Sequence, residues 1–420
     1  MNLTVMPGAI SGELTAPASK SMAHRSLICA ALADRPTQIM CSATSQDIDA
    51  TVDCLNALGA AIRRTATGFS VTPVSGNGGE ATLNCRESGS TLRFLLPVAA
   101  ALGKTARFTG TGRLPQRPMQ PLLEALSAHG VRFTNDRLPF SISGRLTGCS
   151  FAMDGGVSSQ FFSGLLFALP LLEEPGTLTF RTPAQSLPYV QMTLQALAGF
   201  GVNIPFDGTT AVIGASQPYR SPASCTVEGD WSNAAFFLCS AAIGGSVTVK
   251  NLAADSVQGD KRVLELLRDF GAEVTVQNDA VTVRAAARRP LRADCADIPD
   301  IVPILAVMSC FAEGVSRFER VERLRIKESD RLTATAALIN DLGGRAEFDE
   351  TTLTVTGTGA LRGGRADGRG DHRMVMCAAV AGCHADGAVT ITDAEAVSKS
   401  YPLFFTDYQK VGGEVKEEIT

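Results

Sequence analysis

The chain has 420 residues, of which 45% are hydrophobic and 19% charged, and its formal net charge is −4. That length exceeds what one hydrophobic core usually spans, so at least two domains are expected, and the balance excludes a disordered chain. The mild negative charge excludes the global basic field that nucleic-acid binders carry, and no apolar run reaches the length of a membrane-spanning helix.

The N-terminal stretch "MNLTVMPGAISGELTAPASK" alternates apolar and polar residues. It lacks a charged segment followed by an apolar one, so no secretory signal is expected and the protein is read as cytoplasmic. From there the chain repeats itself. An amphipathic helix, a glycine and a short alternating strand recur as "DCLNALGAAI", "LLEALSAHGVRF", "TLQALAGFGVNI", "VLELLRDFGAEV", "ALINDLGGRAEF" and "DYQKVGGEV". Their glycines are Gly59, Gly130, Gly201, Gly271, Gly343 and Gly412, between 69 and 72 residues apart. Each fits a helix that ends at a left-handed residue and turns into a strand. Six units of about 70 residues predict an α/β protein of two domains with three units each. Periodicity alone places the split near residues 210 to 230 and leaves the first strands unassigned.

Polar clusters interrupt this pattern. In "PASKSMAHR" (17–25) a helix cap at Ser19 or Ser21 and a phosphate seat built from helix N–H groups with Lys20 and Arg25 explain the residues equally well. "ESGSTLR" (87–93) offers Gly89 for close backbone approach and Arg93 as a cation or a buried structural ion. "GGVSSQF" (155–161) offers hydroxyls and an amide for an anion, although Ser158 or Ser159 as a helix cap accounts for it more simply. Asp300 in "DIPDIVP" (297–303) stands between prolines before an apolar helix, where capping is the ordinary explanation. In "RIKESDRL" (325–332) Lys327 and Arg331 are four apart, which would put two cations on one helical face beside the Glu328 carboxylate; charge pairing on a solvated face is the competing account. His372 and Arg373 in "DHRM" (371–374) precede another apolar run, and "LPQRPM", "SLPYV" and "SKSYP" complete the set. The eleven cysteines form no C-x-x-C pair and mostly lie in apolar runs, as small buried hydrophobes do. Four histidines give a metal site little to draw on.

Taken in order, "SKSMAHR", "GSTLR", "QRPM", "DGGVSSQF", "SLPYV", "IPD", "RIKESDRL", "DHRM" and "SKSYP" resemble the 5-enolpyruvylshikimate-3-phosphate synthase (3-phosphoshikimate 1-carboxyvinyltransferase) family over essentially the whole chain. The resemblance implies two similar domains, each of three βαβαββ units, with the active site in the interdomain cleft. It divides the chain into residues 1–19 with 229–420, and residues 20–228. It also implies transfer of the carboxyvinyl group of phosphoenolpyruvate to the 5-hydroxyl of shikimate-3-phosphate through a tetrahedral intermediate, in aromatic amino acid biosynthesis. No metal or other cofactor, no nucleic acid and no membrane is expected, and a monomer is. Two phosphates and two carboxylates held at once demand many cations and fixed N–H donors.

By motif, the resemblance places shikimate-3-phosphate against Lys20, Ser21, Arg25, Ser158, Ser159, Gln160, Ser186, Tyr189, Asp300 and Lys327. It places phosphoenolpyruvate against Lys20, Gly89, Arg117, Gln160, Arg331, His372, Arg373 and Lys399. Asp300 would accept the hydroxyl proton, Glu328 would protonate and later deprotonate the methylene carbon, and Lys20 would stabilise both steps. Three positions depart from asparagines that are frequent in the family at two of them and occur in some members at the other: Glu87 and Gly370, and Arg323. Like charges facing each other in an empty cleft predict closure of the domains on substrate binding, which scattering with and without substrates would reveal. Two rivals make different demands. A related enolpyruvyl transferase acting on a UDP-linked aminosugar typically has "AKN" and a loop cysteine where this chain has "SKS" and "LPQRPM". A non-catalytic phosphometabolite binder would not need Asp300 and Glu328.

Overall fold

The computed structural model describes residues 1–418 apart from Asn77, Cys149 and Val157. Its α-helices are α1 (Lys20–Leu32), α2 (Gln46–Ala57), α3 (Gly89–Ala101), α4 (Gln120–Ala128), α5 (Ser159–Ala168), α6 (Leu187–Gly199), α7 (Trp231–Ile243), α8 (Val263–Phe270), α9 (Val302–Ser309), α10 (Arg331–Asp341), α11 (His372–His384) and α12 (Phe404–Lys410). Two compact units form, Met1–Pro17 with Glu228–Thr420, and Ala18–Val227.

The repeat period has a single physical counterpart. All six marker glycines take positive φ, from 75° at Gly343 to 108° at Gly59, where a side chain would strain the backbone. After five of them a strand follows directly. The third unit differs from the sequence expectation: Val202–Ile204 join no ladder, and Pro205, lacking an N–H, is followed only by an isolated bridge between Phe206 and Ala211.

Within a unit of the repeat the sheet has one order. Arg292–Asp294 runs parallel to Gly314–Glu319, which pairs antiparallel with Thr352–Gly357, which in turn pairs antiparallel with Arg345–Phe348. Glu80–Asn84, Thr105–Thr109, Phe140–Ser143 and Arg132–Phe133 repeat that order. Three sheets take a strand from far along the chain. Ile10–Thr15 lies parallel to Gly245–Lys250, Leu3–Met6 lies between Val389–Ile391 and Glu414–Glu417, and Ser224–Thr226 lies parallel to Thr37–Met40. Ladder hydrogen bonds, rather than local pattern, therefore decide where the first strands belong.

In each unit, apolar helices are buried nearly all round while amphipathic ones cover them. In the unit containing both termini α7, α9 and α11 form the centre, and α8 turns Val263, Leu266, Leu267 and Phe270 inward at helical spacing. In the other unit α1, α3 and α5 are central. There α3 and α5 approach so closely that a Cβ on Gly164 would strike the Arg93 carbonyl oxygen. All described cysteines are free thiols, buried except for the half-buried Cys225, as the apolar runs suggested; Cys149 lies outside the described residues. No helix among the described residues is long and apolar enough to cross a membrane.

Candidate active site

The polar clusters sit where central helices begin, because capping residues and charged groups need the exposed end of an otherwise apolar element. In the unit Ala18–Val227, Ser19 caps α1 and accepts from Met22 N, so the cap reading of this motif is correct. Lys20, the first helical residue, donates to Asp47 Oδ2 in the first turn of α2 at 2.8 Å. Arg25 is 1% exposed. It donates from Nε to Thr193 Oγ1 (2.9 Å), and from its two terminal nitrogens to the carbonyls of Ser21 (2.7 Å) and Tyr189 (2.8 Å). Burial lowers its pKa to about 10, which leaves it charged.

Next to α1, Ser88 caps α3 and Gly89 opens it. The Arg117 guanidinium lies against Gly89, where an added Cβ would be 2.8 Å from a terminal nitrogen. Arg93, 3% exposed, donates to Gln160 Oε1 at 2.7 Å and to the Pro118 carbonyl at 3.2 Å, while Gln160 Nε2 donates to Ser90 Oγ at 2.9 Å. Ser158 caps α5 and Ser159 begins it; Val157 of the same motif lies outside the described residues. Ser186 precedes α6 in the left-handed region (φ 60°), and its carbonyl accepts from Tyr189 N. Side-chain bonds thus tie together the segments carrying Lys20, Ser21, Arg25, Tyr189 and Ser186, and likewise those carrying Gly89, Gln160, Arg117, Ser158 and Ser159.

The second cluster lies wholly in the other unit and is built from opposite charges. Asp300 Oδ1 accepts from Lys327 Nζ at 3.0 Å and Arg331 at 2.9 Å, and its Oδ2 faces Arg373 at 3.5 Å. Asp300 does not cap α9: the residue at that position is Ile301, without a side-chain bond. Arg331, 1% exposed, also pairs with Glu328 Oε2 at 2.7 Å and holds Asp371 through Nε at 2.9 Å and a terminal nitrogen at 3.1 Å. Its three carboxylate neighbours raise its pKa even though burial opposes charge. For Asp371 burial is the largest influence and would raise the pKa, yet Arg331 and His372 carry it far below the usual carboxylate range. His372 opens α11 with Nδ1 3.7 Å from Asp371 Oδ1, and Lys399 Nζ donates to the Gly370 carbonyl at 2.7 Å.

One expectation fails here. Lys327 and Arg331 do not share a helical face, because Asp330 accepts from Thr333 N and starts α10 at Arg331, leaving Lys327 in extended backbone and Glu328 in a bend after a short 3₁₀ turn. Both cations reach Asp300 through tertiary folding. Burial lowers the Lys327 pKa, Asp300 opposes this, and Arg323 and Arg331 add to the lowering. Of the other departures, Glu87 packs its carboxyl on Gly112 and Gly370 takes φ 58°.

Sequence reasoning overlooked several partners. Asp47 gave no local signal, since an acid in a first helical turn is ordinary. Asp371 was visible inside "DHRM" but without its two-pronged hold on Arg331. Asp260 is 3% exposed, with Oδ2 accepting from Ser232 and Oδ1 lacking a partner among the described residues; burial, with help from Asp300, raises its pKa to about 7. Among the described residues, no group of three or more His, Cys, Asp or Glu side chains could hold a metal ion.

Fold and chemistry together define a two-unit α/β protein whose clusters suit small polyanions and proton transfer. Solved structures share the fold. EPSP synthase from Acinetobacter baumannii matches with a TM-score of 0.83 at 24% identity, over 99% of this chain and 100% of that one. The enolpyruvyl transferase NikO from Streptomyces tendae matches with a TM-score of 0.80 at 20% identity, over 99% and 98%. The family model for EPSP synthase (3-phosphoshikimate 1-carboxyvinyltransferase) matches residues 5–408. Proteins named 3-phosphoshikimate 1-carboxyvinyltransferase are 35% identical in Clostridium kluyveri, over 99% of this chain and 98% of the relative, and 38% identical in Methanocorpusculum labreanum, over all of both. The chain belongs to the EPSP synthase family.

Proposed function

We propose that the chain transfers the enolpyruvyl group of phosphoenolpyruvate to the 5-hydroxyl of shikimate-3-phosphate and releases inorganic phosphate. The observation that carries this reading is the ring of Lys327, Arg331 and Arg373 around Asp300, with Glu328 on the same arginine. A binding protein would gain nothing from carboxylates that cancel its cations. A proton-transfer site requires them.

Asp300 takes the hydroxyl proton as the 5-oxygen bonds to the central carbon of phosphoenolpyruvate, while protonated Glu328 gives its proton to the methylene carbon. The carbon–phosphate oxygen bond then breaks, the phosphate leaves with, in net terms, the proton taken from the hydroxyl, Glu328 recovers a methyl proton and the double bond returns. Lys20 stabilises charge in both steps. We assign Ser21, Arg25, Ser158, Ser159, Gln160, Ser186, Tyr189 and Lys327 to shikimate-3-phosphate. To phosphoenolpyruvate we assign Gly89, Arg117, Gln160, Arg331, His372, Arg373 and Lys399. Guanidiniums suit its planar carboxylate and ammonium groups its phosphate. We further take the protein to act as a cytoplasmic monomer without a cofactor; sedimentation tests the first part.

The decisive assay follows phosphate release from phosphoenolpyruvate in EDTA, with shikimate-3-phosphate or a UDP-aminosugar as acceptor. Release with shikimate-3-phosphate alone, largely lost in Glu328→Gln, is expected. Release with neither acceptor points to a binding protein, and release with the aminosugar to the cell-wall transferase.

A further inference from the structure

Behind Lys20 and Gly89 runs a buried chain of side chains that the proposed chemistry does not use. His24 Nδ1 lies 2.7 Å from Thr51 Oγ1, Thr51 Oγ1 lies 2.7 Å from Thr91 Oγ1, and Thr91 Oγ1 donates to Ser88 Oγ at 2.7 Å. His24, Thr51, Thr91 and Ser88 are all 0% exposed. The chain crosses three helices, from α1 through α2 to the cap of α3. It also has a direction. The Thr91 hydroxyl proton is committed to Ser88, so Thr91 oxygen accepts from Thr51, and Thr51 oxygen accepts from His24 Nδ1–H. Burial first, and then Lys20 and Arg25, hold the His24 pKa well below its ordinary value. The ring is therefore neutral, with its one proton on Nδ1. Among the described residues Nε2 is left as a buried acceptor with no donor, which carries a desolvation cost.

The arrangement forms two rungs. Lys20 and His24 are one turn apart on α1; Asp47 and Thr51 are one turn apart on α2. The Lys20–Asp47 pair is the outer rung and His24–Thr51 the inner one. The inner rung continues to α3, where Ser88 caps the helix and Gly89 meets Arg117.

We propose that the His24–Thr51–Thr91–Ser88 chain is a positioning brace that holds the Ser88 cap of α3, and with it the Gly89–Arg117 contact, in register, and so sets affinity for phosphoenolpyruvate. The inference rests on the proposed function. None of its four residues is among those assigned to either substrate, and Asp300 and Glu328 lie in the other unit. Breaking the brace thus weakens phosphoenolpyruvate binding and spares proton transfer.

The test uses the full chain and first requires wild-type turnover, whose absence would overturn the functional reading rather than the brace. Thr51→Val and Thr91→Val remove one hydroxyl each at constant shape. Each is expected to raise KM for phosphoenolpyruvate about fivefold to tenfold with kcat within about twofold of wild type. The double variant is expected to be no worse than either single one, because one chain is broken once. Thr51→Ser, which keeps the hydroxyl and loses the methyl, and His24→Asn, whose amide N–H replaces Nδ1–H, are expected within about twofold of wild-type KM. Normal KM in a folded Thr→Val variant overturns the brace. So do additive effects, or kcat and KM that worsen together. Should the valine variants not fold, a raised KM in Thr51→Ser with unchanged melting temperature overturns it as well.

Discussion

The two units carry cations of contrasting fate. Arg331 is surrounded by Asp300, Glu328 and Asp371, while Arg25, equally buried, gives its hydrogen bonds to a hydroxyl and two carbonyls and has no carboxylate among its described partners. A guanidinium held by neutral acceptors keeps its full field for an incoming anion. One that is paired with carboxylates also fixes their positions. The comparison teaches that equally buried guanidiniums are satisfied in two ways, by neutral acceptors in one unit and by carboxylates in the other, which on the proposed function suits the first to phosphate and lets the second also hold bases in place.

The comparison breaks first at Arg331. Arg331→Met leaves buried carboxylates uncompensated and is expected to cost about 3–5 kcal/mol of stability, read in urea unfolding. Arg25→Met should cost about 1–3 kcal/mol because only neutral acceptors lose a donor, and should act chiefly by raising KM for shikimate-3-phosphate. Equal destabilisation by the two would erase the distinction. On activity, Glu328→Gln with an intact fold is expected to lower kcat by about 10²–10⁴, the usual worth of a general acid–base group; a rate within tenfold of wild type would move that role to another residue.

A pH experiment sharpens the contrast from inside the charged cluster. Asp260 has a folded pKa near 7 against an ordinary 3.8, so folding favours its neutral form. Its contribution to stability is greatest below the unfolded value, declines as pH climbs between the two, and is lost above about 7. Asp260→Asn should therefore gain on wild type as pH rises from 4 to 8, seen as converging and then crossing urea midpoints; a pH-independent difference would mean that Asp260 is ionised throughout. The smallest effect is expected at Gly89→Ala. The new methyl pushes on the end of a flexible Arg117 side chain, so KM for phosphoenolpyruvate should rise several-fold with little change in melting temperature.

Much of the fold was legible because it repeats. A glycine forced into positive φ every 70 residues or so leaves a mark that neither composition nor tertiary context can hide. The failures are local and have causes: Pro205 removes a strand from the third unit, and Asp330 caps α10 four residues later than the charge spacing of "RIKESDRL" suggested. Site residues stood out as polar interruptions of apolar runs, yet each motif admitted a bland account. Ser19 and Ser158 do cap helices, and Asp300 does not.

Sequence alone determined the six-fold repeat, the burial of the thiols seen among the described residues, and the clusters at which polar chemistry must concentrate, because periodicity and local backbone preference act over a few residues. Only the tertiary structure decided which strands complete which sheets, that Asp300 serves three cations drawn from two distant motifs, and that His24 reaches Ser88 through two threonines. Those outcomes depend on ladder pairing and on the pKa consequences of burial, and both arise between segments that spacing along the chain does not relate.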